Sequence, residues 1–347
     1  SPFKSMRYFA PTLILWRSSS QWVGGLYFLI FLIIIFSNKK FNFKMISLTH
    51  SGDSGYNSEE KIKNNILKIF IYYSILSLGI FLLLNITGIR LFNSLNISMT
   101  LISGGGFLPT NSLTNIISSN FQKIAFIFSL LLSMFNFYIV FNIFNKKILI
   151  RDHKEDMYLM FLTIILIVFI YFNHNSGLDL IIGVISSLAT SGLTLMKADN
   201  LSLYFLFITL IGGSLVSNTS GIKLARFYIL LKIASAEIMK LISPNSVINK
   251  TIFNSEKKIT DDNVKISFLI FISFFLSLFI LSSFLVLDNI GFEKSFKLSI
   301  LTLTNTVNSE LFNMENLNFA NLLTTSKISL IIFMIIGKIE LISIFLI

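Results

Sequence analysis

Apolar residues along this chain fall into long unbroken runs, not into the alternation of a strand or the single stripe of a soluble amphipathic helix. The runs cover about 22–37, 65–86, 121–144, 156–173, 201–233, 264–287 and 325–347. A bilayer core of about 30 Å takes roughly 20 helical residues, so the pattern predicts about seven membrane-spanning helices. Three shorter apolar runs sit between them: Leu95–Phe107, Leu180–Thr194 and Phe296–Phe312, each ending in small or polar residues. Apolar stretches of about 10–14 residues are too short to cross and read as re-entrant segments. The predicted unit is therefore a span, a half-helix with a polar turn, and a second span. It occurs three times behind one orphan span, and a fourth unit would close a ring around a pseudo-four-fold pore. The expected fold class is an all-α membrane protein.

Composition sharpens this picture. Hydrophobic residues make up 54% of the 347, with 37 Phe, and only 13% are charged, against about 25% charged in a soluble domain. Mean hydropathy is +0.77. The net charge of +11 does not point to nucleic acid, because the lysines lie between apolar runs and not in one patch. They cluster after alternate spans: Lys39, Lys40, Lys44, Lys61 and Lys63; Lys146, Lys147, Arg151 and Lys154; Lys232, Lys240, Lys250, Lys257 and Lys258. The positive-inside rule makes those loops cytoplasmic. With no cysteine there is no disulfide and no thiolate metal site. The three histidines, His50, His153 and His174, fall in no metalloprotease or phosphate-loop motif, and no nucleophile–base constellation suggests an enzyme.

The most informative stretch is Ile211–Arg226, I-G-G-S-L-V-S-N-T-S-G-I-K-L-A-R, inside the fifth apolar run. Small residues such as Gly212 and Gly213 serve close helix packing. The consecutive Ser217, Asn218, Thr219, Ser220 and Gly221 exceed what packing needs. Unpaired backbone in hydrocarbon costs several kcal/mol per group, so a broken helix is tolerated only inside protein or along a water-filled path. The stretch is expected to be a polar break facing such a path.

The three half-helix turns suggest what moves along it. A half-helix that stops at mid-membrane aims its negative C-terminal end, about half an elementary charge, at the centre. A turn of Gly, Ser and Thr can then offer backbone carbonyls to a dehydrated monovalent cation, as potassium filters do. The candidate turns are Ser103, Gly104, Gly105 and Gly106; Thr190, Ser191 and Gly192; and Thr306, Val307 and Asn308. Of the few charges inside the apolar runs, Lys338 is expensive there and reads as functional, with snorkelling to an interface as the alternative. Glu310 adds negative potential at the outer mouth or is a solvated loop carboxylate. Asp179 reads as an N-cap of its half-helix.

These segments, in this order, resemble the TrkH/KtrB superfamily of potassium and sodium transporters, which includes the plant HKT proteins. W-R-S-S-S-Q-W-V-G-G (Trp16–Gly25) is similar to the start of the first repeat's inner helix, S-G-G-G-F (Ser103–Phe107) to the second filter, and T-S-G-L-T (Thr190–Thr194) to the third. Ile211–Arg226 resembles the intramembrane loop that gates the third repeat. L-T-N-T-V-N-S (Leu303–Ser309) falls where the fourth filter is expected and G-K-I-E (Gly337–Glu340) where G-R-x-E is, which implies that Lys338 faces the pore below the filter. The resemblance implies one filter glycine per loop, matched here by Gly106, Gly192 and Asn308. Asn is one of the few other residues that enter the left-handed region routinely, so Asn308 is expected to keep the turn while weakening potassium selectivity.

The resemblance also implies an organisation: 1–63, the inner helix of an incomplete first repeat; 64–153, the second repeat; 154–262, the third, with gating loop 216–221; and 263–347, the fourth. It implies a multi-pass bacterial inner-membrane subunit that passes K⁺, or else Na⁺, with no cofactor in this chain. Its partners would be membrane lipid, a second copy in a homodimer and a cytoplasmic nucleotide-binding regulatory subunit of TrkA/KtrA type. The start at Ser1 and the finish inside an apolar run read as cut ends, with the first outer helix and first filter missing. Those departures leave an alternative: a non-conducting or degraded relative that acts only as an assembly partner.

Overall fold

A computed structural model describes residues 10–37, 59–137, 139, 154–172, 177–197, 201–243, 250–253, 258–307, 309–314, 319 and 322–339. Among them the chain is helical, and the sole bridge is an isolated one between Thr251 and Lys258. The helices are α1 (Pro11–Ser37), α2 (Glu59–Ile86), α3 (Leu91–Ile102), α4 (Asn120–Met134), α5 (Lys154–Tyr171), α6 (Gly177–Leu188), α7 (Ser202–Ile211), α8 (Leu224–Ile242), α9 (Asp261–Leu287), α10 (Phe292–Leu303) and α11 (Thr324–Ile339). The short helices α3, α6 and α10 are the expected half-helices, each of 12 residues.

Two elements differ from the sequence pattern, and the break in the run 201–233 follows it. Helix α1 begins at Pro11, ahead of the apolar run 22–37, so Trp16–Gly25 lies within it. Pro suits that first helical position because its missing N–H would have no partner there. The apolar run 201–233 is two helices, separated by irregular backbone over 212–223. The run 121–144 stops being helix at Met134, where Phe135 turns extended (φ −75°, ψ 162°). The reason is tertiary: the backbone N–H groups of Asn136 and Phe137 find acceptors outside the helix, on the Asp156 carboxylate (2.9 Å) and the Val216 carbonyl (2.8 Å).

The units pack in chain order around a ring. Helix α1 lies on α3, α4 on α6, and α7 on α10. The ring closes where Lys338 of α11 sits 5.0 Å over the Phe28 ring of α1. The second unit (α2–α4) and the fourth (α9–α11) therefore face each other across the centre.

Polarity is distributed inside out. Phe161, Phe169, Phe207, Leu276 and Phe284 are each more than half exposed, while Ser98, Thr100, Ser186, Ser187, Thr190 and Ser299 are buried. Such an apolar exterior is a liability in water and the norm in lipid. The helix hydroxyls are satisfied locally: Ser129 Oγ donates to the Ala125 carbonyl and Ser299 Oγ to that of Ser295.

Candidate ion pathway

All three half-helices end in one hydrogen-bond pattern. A first bond runs from Gly104 N to Leu101 O, from Thr190 N to Ser187 O and from Asn305 N to Thr302 O (3.0–3.1 Å). A second runs from Gly105 N to Thr100 O, Ser191 N to Ser186 O and Thr306 N to Leu301 O (2.8–3.0 Å). Gly104, Thr190 and Asn305 all take left-handed backbone, at φ 64°, 52° and 51°. That region favours Gly and admits Asn. Thr190 is the costly member, and its Oγ1 accepts a hydrogen bond from Ser220 N at 3.0 Å.

The shared bonds also set the register. Position for position, Gly106 and Gly192 correspond to Val307, one residue before the Asn308 matched by sequence. Asn308 itself lies outside the described residues. The turns meet at this level. A methyl group on Gly106 would land on the Ser191 carbonyl, and one on Gly192 on the Val307 carbonyl. The negative ends of three helices thus converge on one small volume, together with the carbonyls of the turns. Above it opens a cavity of about 510 Å³, with Gly106, Gly192 and Val307 in its floor and Arg17, Phe107 and Glu310 in its wall. The Arg17 guanidinium stacks 4.3 Å from the Phe107 ring centre.

The broken helix lies on the other side of the turns. Gly212 (φ 68°) ends α7, and the chain re-enters helix after Lys223 (φ 73°). Between them the loop is tied to two turns at once. Asn218 Nδ2 donates to the Ile102 carbonyl at the end of α3 (2.7 Å), and Ser220 N bonds Thr190. Gly104 admits this approach, since a side chain there would fall 2.6 Å from the Asn218 carbonyl. Two lysines brace the loop. Buried Lys223 donates to the Ser217 carbonyl (3.2 Å), to the Ser217 and Thr219 hydroxyls (3.3 and 3.1 Å) and to the Thr219 carbonyl. Lys338, half-buried, donates to the Asn218 carbonyl. It points into the ring and does not snorkel.

Sequence reasoning missed three of these supports. Lys223 was passed over inside the quoted Ile211–Arg226 stretch. Glu155 and Asp156, buried in the first turn of α5, hold the backbone N–H of Leu215 (2.8 Å) and of Asn136. Their signal was two acidic residues at the head of an apolar run. The loop also bonds the end of α4 directly, through Ser214 N to Met134 O (3.1 Å) and Phe137 N to Val216 O. Asp179 is not an N-cap; it sits in the first turn of α6, paired with Lys123 at 2.7 Å. Glu310 is exposed on a short 3₁₀ turn, Glu310–Phe312, in the cavity wall. Among the described residues no cluster of His, Cys, Asp or Glu could hold a metal.

A ring of helix–half-helix–helix units around converging turns, with a broken helix beneath, defines a class of membrane protein. No family model matches the chain. It is 29% identical over 298 residues to the Trk system potassium uptake protein TrkG of Escherichia coli, covering 79% of this chain and 59% of that protein. It is 27% identical over 289 residues to an uncharacterized cation transporter of Methanocaldococcus jannaschii, covering 79% of this chain and 56% of the relative. Among solved structures, the potassium transporter TrkH of Vibrio parahaemolyticus superposes with a TM-score of 0.82 at 18% identity, over 98% of this chain and 73% of the other. The resemblance to the TrkH/KtrB superfamily is borne out, and the chain has the TrkH fold. It spans less than two thirds of the length of the curated relatives it matches.

Proposed function

We propose that this chain is the pore-forming part of a monovalent-cation uptake protein, passing K⁺, or with a looser filter Na⁺, down its electrochemical gradient. The observation that carries this reading is the convergence of three half-helix C-termini and three identically bonded turns on one centre. That centre has the sign and the oxygen supply that a dehydrating cation needs. The ion ligands in this reading are carbonyls of Ser103–Gly106, Thr190–Gly192 and Thr306–Asn308. The loop Ser217–Gly221, stapled to two of these turns and carrying two lysines below them, is the gate. A positive charge under a cation site opposes passage until it moves, and Lys338 is the more mobile of the two because it holds a single loop carbonyl. The chain is not an enzyme in this reading. It sits in a bacterial plasma membrane with its lysine-rich loops inside, as a homodimer, and a nucleotide-binding subunit of TrkA type acts on it from that side.

The test is voltage-driven ⁸⁶Rb⁺ uptake into proteoliposomes holding the purified chain. Uptake above protein-free vesicles, rising when Ser217–Gly221 is deleted, supports pore and gate together. Uptake equal to protein-free vesicles in both forms would leave the chain as the non-conducting assembly partner.

A further inference from the structure

We propose that the side chain of Val307 narrows the filter, so that an isopropyl group standing on the pore axis restricts cation flux in series with the loop beneath. The proposal rests on the transport reading and adds to it the residue that restricts passage.

Three observations lead here. By hydrogen-bond register Val307 occupies the position of Gly106 and Gly192 in the other turns. A methyl group on Gly106 would fall 2.5 Å from Cγ2 and 2.9 Å from Cβ of Val307. Gly106 belongs to the second unit and Val307 to the fourth, which face each other across the ring, so a contact between them has to run through the centre. Val307 is half-buried and lines the cavity together with Gly106 and Gly192.

The chemistry of the group makes it an obstacle. A cation that sheds water needs oxygen ligands at each step, and an isopropyl group has none. A β-branched side chain is stiff at χ1, so it does not swing aside as Met or Leu does. The backbone tolerates it, because Val307, unlike Gly192 at φ 71°, does not take left-handed backbone. The turn therefore keeps the hydrogen bonds of its two counterparts while its side chain fills the space that their glycines leave open.

The chain contains no cysteine, so Val307→Cys supplies a single thiol and a readout independent of transport. In purified protein we expect it to react with a water-soluble methanethiosulfonate at least tenfold faster than Ser98→Cys, a buried control on α3. In proteoliposomes we expect Val307→Gly to raise ⁸⁶Rb⁺ uptake at least tenfold, Val307→Ala less, and Val307→Leu not at all. A Val307→Cys thiol as slow as the control overturns the proposal, as does unchanged uptake in Val307→Gly when the parent protein conducts. If neither parent nor Val307→Gly carries Rb⁺, the transport reading fails, and the thiol rates alone decide whether the side chain stands on the pore axis.

Discussion

The three turns and the loop beneath them are both irregular backbone at membrane depth, yet they are held in opposite ways. Each turn closes on its own half-helix with bonds spanning three and five residues, and the pattern repeats whatever the side chains: S-G-G-G, A-T-S-G or T-N-T-V. The loop is braced from within by Lys223 and tied from outside by partners on α3, α4, α5 and α11 and on the turn after α6, up to 120 residues away. A turn that satisfies itself is a rigid frame. A loop that depends on many distant groups can be released by changing a few of them, as a gate requires.

The largest effect is expected from removing the loop's internal brace. Lys223→Met leaves two carbonyls and two hydroxyls without their buried donor, and should destabilise the protein by about 1–3 kcal/mol for each group left unsatisfied. It should appear as loss of the monodisperse peak after mild heating in detergent; a full peak would show that the loop holds together without it. Next comes Gly192→Ala, which forces a side chain into left-handed backbone and onto the Val307 carbonyl, costing about 1–3 kcal/mol. Because the turn is self-contained, we expect flux to be lost while the loop contacts survive, as scored by unchanged protease sensitivity around 217–221.

Lys338→Met cuts one tie from loop to ring. Its cost should stay near 1–3 kcal/mol, the worth of one hydrogen bond to a charged group, while Rb⁺ uptake rises. Thr190→Gly sharpens the comparison further. It relieves roughly 1–2 kcal/mol of left-handed strain but removes the acceptor of Ser220 N, so thermal stability should move by less than about 1 kcal/mol. Amide exchange at Ser220 should quicken; unaltered exchange there would place the loop's anchorage elsewhere. Smallest is Lys123→Ala, which breaks a partly exposed pair with Asp179 worth about 0–1 kcal/mol, a difference that should vanish in high salt.

The same contrast decides what was legible in the sequence. The half-helices and their turns were readable because both their signals are local: a short apolar run and a polar ending. The polar break in 201–233 was readable for the same reason, since Ser217–Gly221 violates a continuous span. The break after Met134 was not readable, because L-L-S-M-F-N-F-Y-I-V is a good span and only the distant Asp156 and Val216 end the helix there. Asp156 and Glu155 carry no recognisable signal of their role, because their partners are backbone N–H groups with no sequence signature. The match of Asn308 to Gly106 and Gly192 is off by one in hydrogen-bond register, since spelling cannot fix a register that bonds such as that from Thr306 to Leu301 set.

The bonds between the end of α4 and the broken helix carry a consequence for biogenesis. A chain made from its N terminus delivers α4 to the membrane before Asp156, and long before Val216. Until then the N–H groups of Asn136 and Phe137 lack their final acceptors, and the cheapest interim state in lipid is a helix continuing through them. The bend at Phe135 is therefore a late event. It is made when the third unit arrives, and it makes the second unit's final shape a record that the third has docked.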